Sequence, residues 1–369
     1  MKVISTNEHQ FFIYENGVKV FDELPCGYYT INFNNNTGFF LETYSELAFK
    51  EGEQKLYGPH ESKIKKIIAS YKRCKNNLGV ILSGEKGLGK SLTAKLIAKR
   101  LYMEQYPIII VNRYIEGIAN FLHKISTNCV ILFDEFDKLF KNSRDNEDKS
   151  ANPQEELLSL FDGMDDKHRL FVITANDIYK INEFLINRPG RFQYHLIFQY
   201  PSYDDINVYM RDNLNDINQY KEIPSVQKFS TKVPLSYDAL RAICFELNGG
   251  LTFKEAIDDL NIININLESY NVRVTFINGF ILTGEIKLDL FSTNTERLWL
   301  SNSLMEVNAE FCPSDLTYSI NGLILDASKL NILWSTADSY RELNFDDIKN
   351  EQIESVRFAR KIKNYRYNI

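Results

Sequence analysis

The sequence predicts an α/β fold: a parallel sheet with helices on both faces, a small helical lid, and β-rich units at both ends. Three observations predict it. Gly84-Glu85-Lys86-Gly87-Leu88-Gly89-Lys90-Ser91 lies between the apolar Val80-Ile81-Leu82 and the helix-prone run from Leu92 to Ala98. A second apolar run, Val130-Ile131-Leu132-Phe133, ends in the acidic pair Asp134-Glu135. Strand and helix patterns alternate over residues 56–200, whereas residues 201–265 turn helical and residues 270–369 turn back to β.

Taken in order, residues 1–55 predict an N-terminal β-rich domain. Gln10–Tyr14 and Val18–Phe21 flank a Glu15-Asn16-Gly17 turn, and Gly27–Phe33 and Gly38–Leu41 flank the polar Asn34–Thr37. The aromatics of this unit are expected to form its core. A helix from Glu61 to Tyr71 then leads to the strand before the glycine-rich run. The almost wholly polar stretch from Lys141 to Pro153 reads as a loop. In the helical segment Ile206, Tyr209, Met210 and Leu214 share one face and Leu240, Ile243, Cys244 and Leu247 another. Val272–Ile277, Asn278-Gly279 and Phe280–Gly284 form a hairpin pattern. The basic residues Arg357, Arg360, Lys361, Lys363 and Arg366, interleaved with Phe358, Tyr365 and Tyr367, read as a solvated helix face rather than a nucleic-acid contact.

Composition narrows the class. With 44% hydrophobic and 25% charged residues in 369, the chain can build more than one core and is not of a disordered type. No apolar run of about eighteen residues predicts a membrane span, and Met1–Asn7 turns polar too soon for a leader, so the expected location is the cytoplasm. Five scattered cysteines without C-x-x-C spacing predict neither disulfides nor a zinc site. A net charge of −6 gives no general attraction to nucleic acid.

The chemistry follows from Gly84–Ser91, which matches the phosphate-loop pattern G-x-x-x-x-G-K-[ST] in its strand–loop–helix setting. The sheet is thus expected to be that of a P-loop nucleotide hydrolase. Its backbone N–H groups, from Gly84 through Leu92, are expected to cradle the phosphates of ATP. The Lys90 ammonium is expected to neutralise β/γ-phosphate charge, and the Ser91 hydroxyl and Asp134 carboxylate to hold Mg2+. Glu135, one residue further on, is placed to polarise the attacking water. Asn176, which ends the predicted strand Arg169–Asn176, has an amide able to bond both water and γ-phosphate, the plainer reading of an asparagine at a strand end being a turn former. Arg188 and Arg191 flank a Pro-Gly turn, so both are expected to project from a surface corner and reach the nucleotide of a neighbouring subunit.

These motifs, in this order, make the chain resemble the AAA+ ATPases, and within them the AAA family proper, over roughly residues 57–262. The resemblance makes Gly84–Ser91 the Walker A motif, Ile131–Glu135 Walker B and Asn176 sensor 1. Arg188 and Arg191, in Arg188-Pro189-Gly190-Arg191-Phe192, resemble the family's arginine fingers, and Leu157–Met164 is similar to the helix before its second region of homology. Arg241 resembles the sensor-2 arginine of other AAA+ clades, although the family proper usually lacks it. Hexameric rings or spirals are the family's usual state.

Two departures stand out. The stretch from Val111 to Val130 is short for a pore loop, helix and return strand; Tyr114 there is either a reduced pore-loop aromatic or a packing residue. The flanking β units match no accessory domain. The resemblance implies an oligomeric Mg-ATPase that remodels or positions a protein partner, with a nucleic-acid-linked loader and an ATP-timed assembly scaffold as alternatives. Similarity to phage AAA ATPases and the abundance of Asn and Ile suggest a phage origin, and with it the host cytoplasm.

Overall fold

A computed structural model describes residues 2–7, 10–14, 18–44, 55–58, 60–140, 153–162, 167–186, 190–262, 268–277, 279–290, 292, 294–302, 306–319, 322–335 and 353–361. The polar loop expected after Lys141, the arginine at position 188, the turn at Asn278 and the tail beyond Lys361 lie outside these residues, the loop except for Pro153. The chain falls into two compact units, residues 1–205 with 236–238, and residues 206–235 with 239–369.

In the first unit β1 (Lys2–Asn7) pairs with β2 (Gln10–Tyr14) as a two-stranded antiparallel sheet. The expected partner of β2, Val18–Phe21, carries no strand, and Val20 and Phe21 are exposed. The chain after it runs toward the sheet end, where the Leu24 N–H donates to Thr127 Oγ1 at 2.8 Å.

The main sheet has seven strands: β3 (Tyr28–Asn34), β4 (Gly38–Thr43), β5 (Leu78–Ser83), β6 (Ile108–Val111), β7 (Cys129–Phe133), β8 (Arg169–Ala175) and β9 (Tyr194–Ile197), in the order β4-β3-β6-β7-β8-β5-β9. All neighbours are parallel except β3 and β4. Every residue of β5, β7 and β8 is buried, which explains why these strands read as continuous apolar runs rather than alternating ones.

One face is covered by α1 (His60–Arg73) and α2 (Lys90–Met103): Ile64, Ile67, Tyr71, Ile97 and Leu101 pack on Val80, Leu82, Val130 and Val172. The other face carries aromatic rings. Phe161 stands edge-on to Phe133, Phe171 and Phe192, with centroids 4.9–5.9 Å away.

The expected N-terminal β domain is therefore not a separate unit in its second half. β3 and β4 extend the central sheet, Tyr28 facing Ile108 in parallel register and stacking on Tyr102 of α2 at 4.4 Å. Local pattern reveals that these residues are strands, but their parallel neighbour lies far along the chain.

In the second unit the helical segment comprises α8 (Tyr203–Asn213) beyond Asp205, α9 (Ile223–Lys232), α10 (Tyr237–Asn248) from Ala239, and α11 (Phe253–Asp259), between α2 and which α3 (Ile118–Lys124), α4 (Phe136–Leu139), α5 (Pro153–Glu156), α6 (Leu158–Asp162) and α7 (Glu183–Ile186) belong to the first unit. The eight apolar residues expected on its two faces are all buried. A capping box, Thr252 with Glu255, starts α11.

Two sheets follow: β10 (Glu268–Phe276), β11 (Ile281–Leu288), β14 (Thr317–Ser319), β15 (Gly322–Leu325) and β17 (Ile353–Arg360) in the order β11-β10-β17-β15-β14, and β12 (Glu296–Ser301), β13 (Glu306–Phe311) and β16 (Asn331–Ser335) in the order β12-β13-β16. Their alternating residues meet in one core that includes Val272, Val274, Leu298, Leu300, Val307 and Phe358. The basic–aromatic segment read as a helix face is β17, a strand: Phe358 is buried and Arg357 exposed, a period of two rather than 3.6.

Candidate active site

Chain reversal in the sheet order places the site. β5 lies between β8 and β9, so its carboxyl end opens beside those of β7 and β8, where ligands of open α/β sheets bind. Gly84, Gly87 and Gly89 take φ values of 145°, 73° and 92°, which side-chain-bearing residues disfavour. At Gly84 a Cβ would also lie 2.4 Å from the Phe198 carbonyl oxygen. Gly89 precedes α2 with no side chain capping the helix. The free N–H groups of its first turn remain for an anion. Leu88 is buried under the loop, while Glu85 and Lys86 are exposed on it.

A continuous hydrogen-bond network joins the loop to β7 and β8. Ser91 Oγ donates to Asp134 Oδ1 at 2.8 Å, and Thr174 Oγ1 donates to the same oxygen at 2.6 Å. Thr174 in turn accepts the Glu135 N–H at 2.8 Å. Lys90 Nζ donates to Asn176 Oδ1 at 2.9 Å and to the Glu85 carbonyl at 2.7 Å, and Asn176 Nδ2 donates to Glu135 Oε1 at 3.3 Å. The Asn176 amide thus spans the cation and the carboxylate expected at the γ-phosphate.

Burial pulls the Lys90 ammonium below its ordinary value, opposed by Asp137, Glu85, Asp134 and Glu135. Hydrogen bonding from Lys138 holds the Glu135 carboxyl below the usual carboxylate range, with Asn176 acting in the same direction. Glu135 itself sits in the left-handed region at φ 52°, which turns it away from the line of β7.

Two residues of this network carry no motif: Thr174 and Asp137. The buried Asp137 carboxylate accepts the N–H groups of Asn176 at 3.2 Å and Asp177 at 3.1 Å, fixing the end of β8. Its signal was a charged residue between Phe136 and the apolar Leu139-Phe140, a pattern that a solvated helix turn shares.

The oxygen donors fit a magnesium ion. A hydroxyl and a carboxylate oxygen already meet at 2.8 Å, and hard oxygen ligands of this kind, completed by phosphates and water, suit Mg2+.

Arg191 departs from expectation. Rather than projecting from a corner, it is 6% exposed; its guanidinium forms a two-pronged ion pair with Asp162, one arm at 2.6 Å, and donates to the Phe184 carbonyl at 2.8 Å. Arg191→Ala removes a buried guanidinium that pairs with Asp162 and donates to the Phe184 carbonyl, and is expected to destabilise the first unit by about 3 kcal/mol. A lowered urea midpoint checks this, and an unchanged midpoint contradicts it.

Tyr114 takes the packing option. Its hydroxyl donates to Glu156 Oε2 at 2.9 Å and its ring stands against Phe140. Arg241 is an exposed residue of α10 in the second unit. No helix among the described residues is long and apolar enough to cross a membrane.

Residues 80–200 match the family model described as ATPase family associated with various cellular activities (AAA). The chain is also similar to a putative cell division cycle ATPase of Plasmodium falciparum, 32% identical over 126 residues, 31% of this chain and 10% of that protein. The vesicular-fusion protein SEC18 of Candida albicans is 28% identical over 153 residues, 36% of this chain and 19% of the relative. The 26S proteasome regulatory subunit 4 homolog of Saccharomyces cerevisiae is 26% identical over 182 residues, 46% of this chain and 41% of the relative. The chain therefore matches less than half the length of each of these relatives.

Proposed function

We propose, from the AAA ATPase domain that residues 80–200 carry, that this chain is an oligomeric, Mg-dependent ATP hydrolase that remodels or positions a protein partner. The observation that carries the hydrolase reading is the single network from Ser91 through Asp134, Thr174, Glu135 and Asn176 to Lys90.

Each residue has a separable task. The N–H groups from Gly84 to Leu92 and the Lys90 ammonium bind the phosphates. Ser91 and Asp134 would hold Mg2+, which when bound neutralises charge on the phosphate oxygens. Glu135, kept anionic by Lys138, accepts a hydrogen bond from the attacking water and aligns its lone pair. Asn176 holds Lys90 and Glu135 at a fixed spacing.

The partner class is supported by the names of two relatives, one a vesicular-fusion protein and the other a 26S proteasome regulatory subunit homolog. The second unit's β sheets supply a body beyond the ATPase domain for such contact. The setting we propose is the cytoplasm, that of a host cell if the gene is of phage origin.

The test is Glu135→Gln, which keeps the shape and removes the charge. ATP binding is expected to persist while turnover falls roughly 10²–10⁴-fold. Fluorescent-nucleotide titration and phosphate release read the two separately; near-normal release removes Glu135 from the mechanism.

A further inference from the structure

One hydroxyl joins the two carboxylate residues that follow β7. Thr174 Oγ1 donates to Asp134 Oδ1 at 2.6 Å and accepts the Glu135 N–H at 2.8 Å. Chemistry settles the polarity of both bonds, since an ionised carboxylate only accepts and an amide N–H only donates. The single Thr174 proton is therefore committed to Asp134, and one of its lone pairs to the backbone of Glu135.

Packing does not ask for this oxygen. Thr174 is 1% exposed, and the rest of Leu170–Ala175 in β8 is apolar. A valine would fill a similar volume and suit a strand as well. What the hydroxyl meets explains it better. Asp134 Oδ1 also accepts from Ser91, in the first turn of α2, at 2.8 Å. Glu135 then turns into the left-handed region at φ 52°, a conformation that a β-carbon disfavours. Thr174 holds that turn by its N–H, while Asn176 Nδ2 reaches the Glu135 carboxylate at 3.3 Å.

We infer that Thr174 is a positioning residue for ATP hydrolysis: its one hydroxyl sets the Asp134 carboxylate for magnesium and the Glu135 turn for water at a fixed spacing. The inference rests on the roles proposed above for Asp134 and Glu135. A hydrogen bond to a metal-binding carboxylate orients the oxygens that face the metal, and its loss typically weakens metal binding about 10–100-fold. Misplacing a catalytic group by about 1 Å can cost on the order of 10²-fold in rate. Both effects meet at Thr174 because it acts on both residues. Its two bonds run to Asp134 and Glu135, not to the loop backbone or Lys90, so nucleotide affinity without metal is expected to stand apart from it.

The experiment titrates a fluorescent ATP analogue with wild type and Thr174→Val, first with a chelator and then over a range of Mg2+ concentrations. Phosphate release is measured beside it. In Thr174→Val the metal-free affinity is expected to match wild type, and the Mg2+ concentration of half-maximal effect to rise about tenfold. At saturating Mg2+, kcat is expected to fall roughly 10–100-fold with KM little changed. Thr174→Ser keeps the hydroxyl and loses the buried methyl; it is expected to melt at a lower temperature yet restore the Mg2+ response and kcat. A threonine that only packs predicts the reverse order, with serine the worse variant. Wild-type Mg2+ response and kcat in Thr174→Val overturn the proposal, as does a serine variant as impaired as the valine one. Should Thr174→Val fail to fold, Thr174→Ala replaces it: alanine and serine share the lost methyl and differ by the hydroxyl, so an equal Mg2+ response in the two overturns the proposal. Near-normal turnover in Glu135→Gln removes the water-polarising reading itself. An inactive Glu135→Gln beside an unaffected Thr174→Val removes Thr174 alone.

Discussion

Lys90→Ala is expected to weaken ATP binding on the order of 10²–10³-fold and to abolish measurable turnover at ordinary ATP concentrations. Lys90 is 6% exposed, and its ammonium lies within hydrogen-bond distance of the Glu85 carbonyl and Asn176 Oδ1 and is drawn below its ordinary pKa by burial. A charge held in so dry a place is partnered today by carbonyl and amide oxygens and by the field of several carboxylates. A triphosphate at the loop would supply a far stronger partner, so much of the binding free energy is expected to reside there. Losing one buried charge–charge contact costs about 3–5 kcal/mol, whose lower part overlaps the roughly 2.8–4.2 kcal/mol that a 10²–10³-fold loss of affinity represents.

Thermal melting separates this outcome from simple unfolding. ATP at about a hundred times Kd stabilises the wild type by about 2.7 kcal/mol, and the variant is expected to melt at nearly one temperature with and without ATP. A nucleotide-dependent shift of wild-type size in Lys90→Ala would remove Lys90 from the site.

The phosphate loop was legible because its chemistry admits few substitutes: three positive-φ glycines, a helix start without a side-chain cap, and a lysine and serine at set positions. Asp134 and Glu135 were legible because two carboxylates after a fully buried strand stand out. Thr174 and Asp137 were not, since a threonine in a β strand and an aspartate in a helical turn have ordinary structural uses. What marks them is the partner each meets across the chain, Thr174 with Asp134 and Asp137 with the backbone at Asn176.

The same limit explains the strand pair β3–β4. Its residues are recognisably β, yet its place beside β6 depends on a parallel contact with Ile108 that no local pattern records. Charge patterning misled in the other direction at Arg191. Two arginines around a Pro-Gly pair look like an exposed corner, and the acceptor that draws Arg191 inward, Asp162, sits on α6.

That ion pair makes the arginine-finger proposal asymmetric. Arg191 is committed within its own chain, so we propose the trans-acting role for Arg188, whose placement lies outside the described residues. Arg188→Ala is expected to leave ATP affinity close to wild type and lower turnover roughly 10³-fold or more, as loss of a guanidinium acting on developing γ-phosphate charge does. Arg191→Ala, by contrast, is expected to lose turnover in proportion to lost folded protein.

Mixing tests whether the action is between subunits. Arg188→Ala chains keep an intact phosphate loop, and Lys90→Ala chains keep an intact arginine. Each is inactive alone. In a mixed assembly a Lys90→Ala chain can present Arg188 to the loop of its Arg188→Ala neighbour, so phosphate release is expected to rise above that of either variant and to track their ratio. No rise, with mixed assembly confirmed by light scattering, places the action of Arg188 within its own chain or removes it. Complementation would in addition require an oligomer, which makes this one measurement bear on both the finger and the assembly.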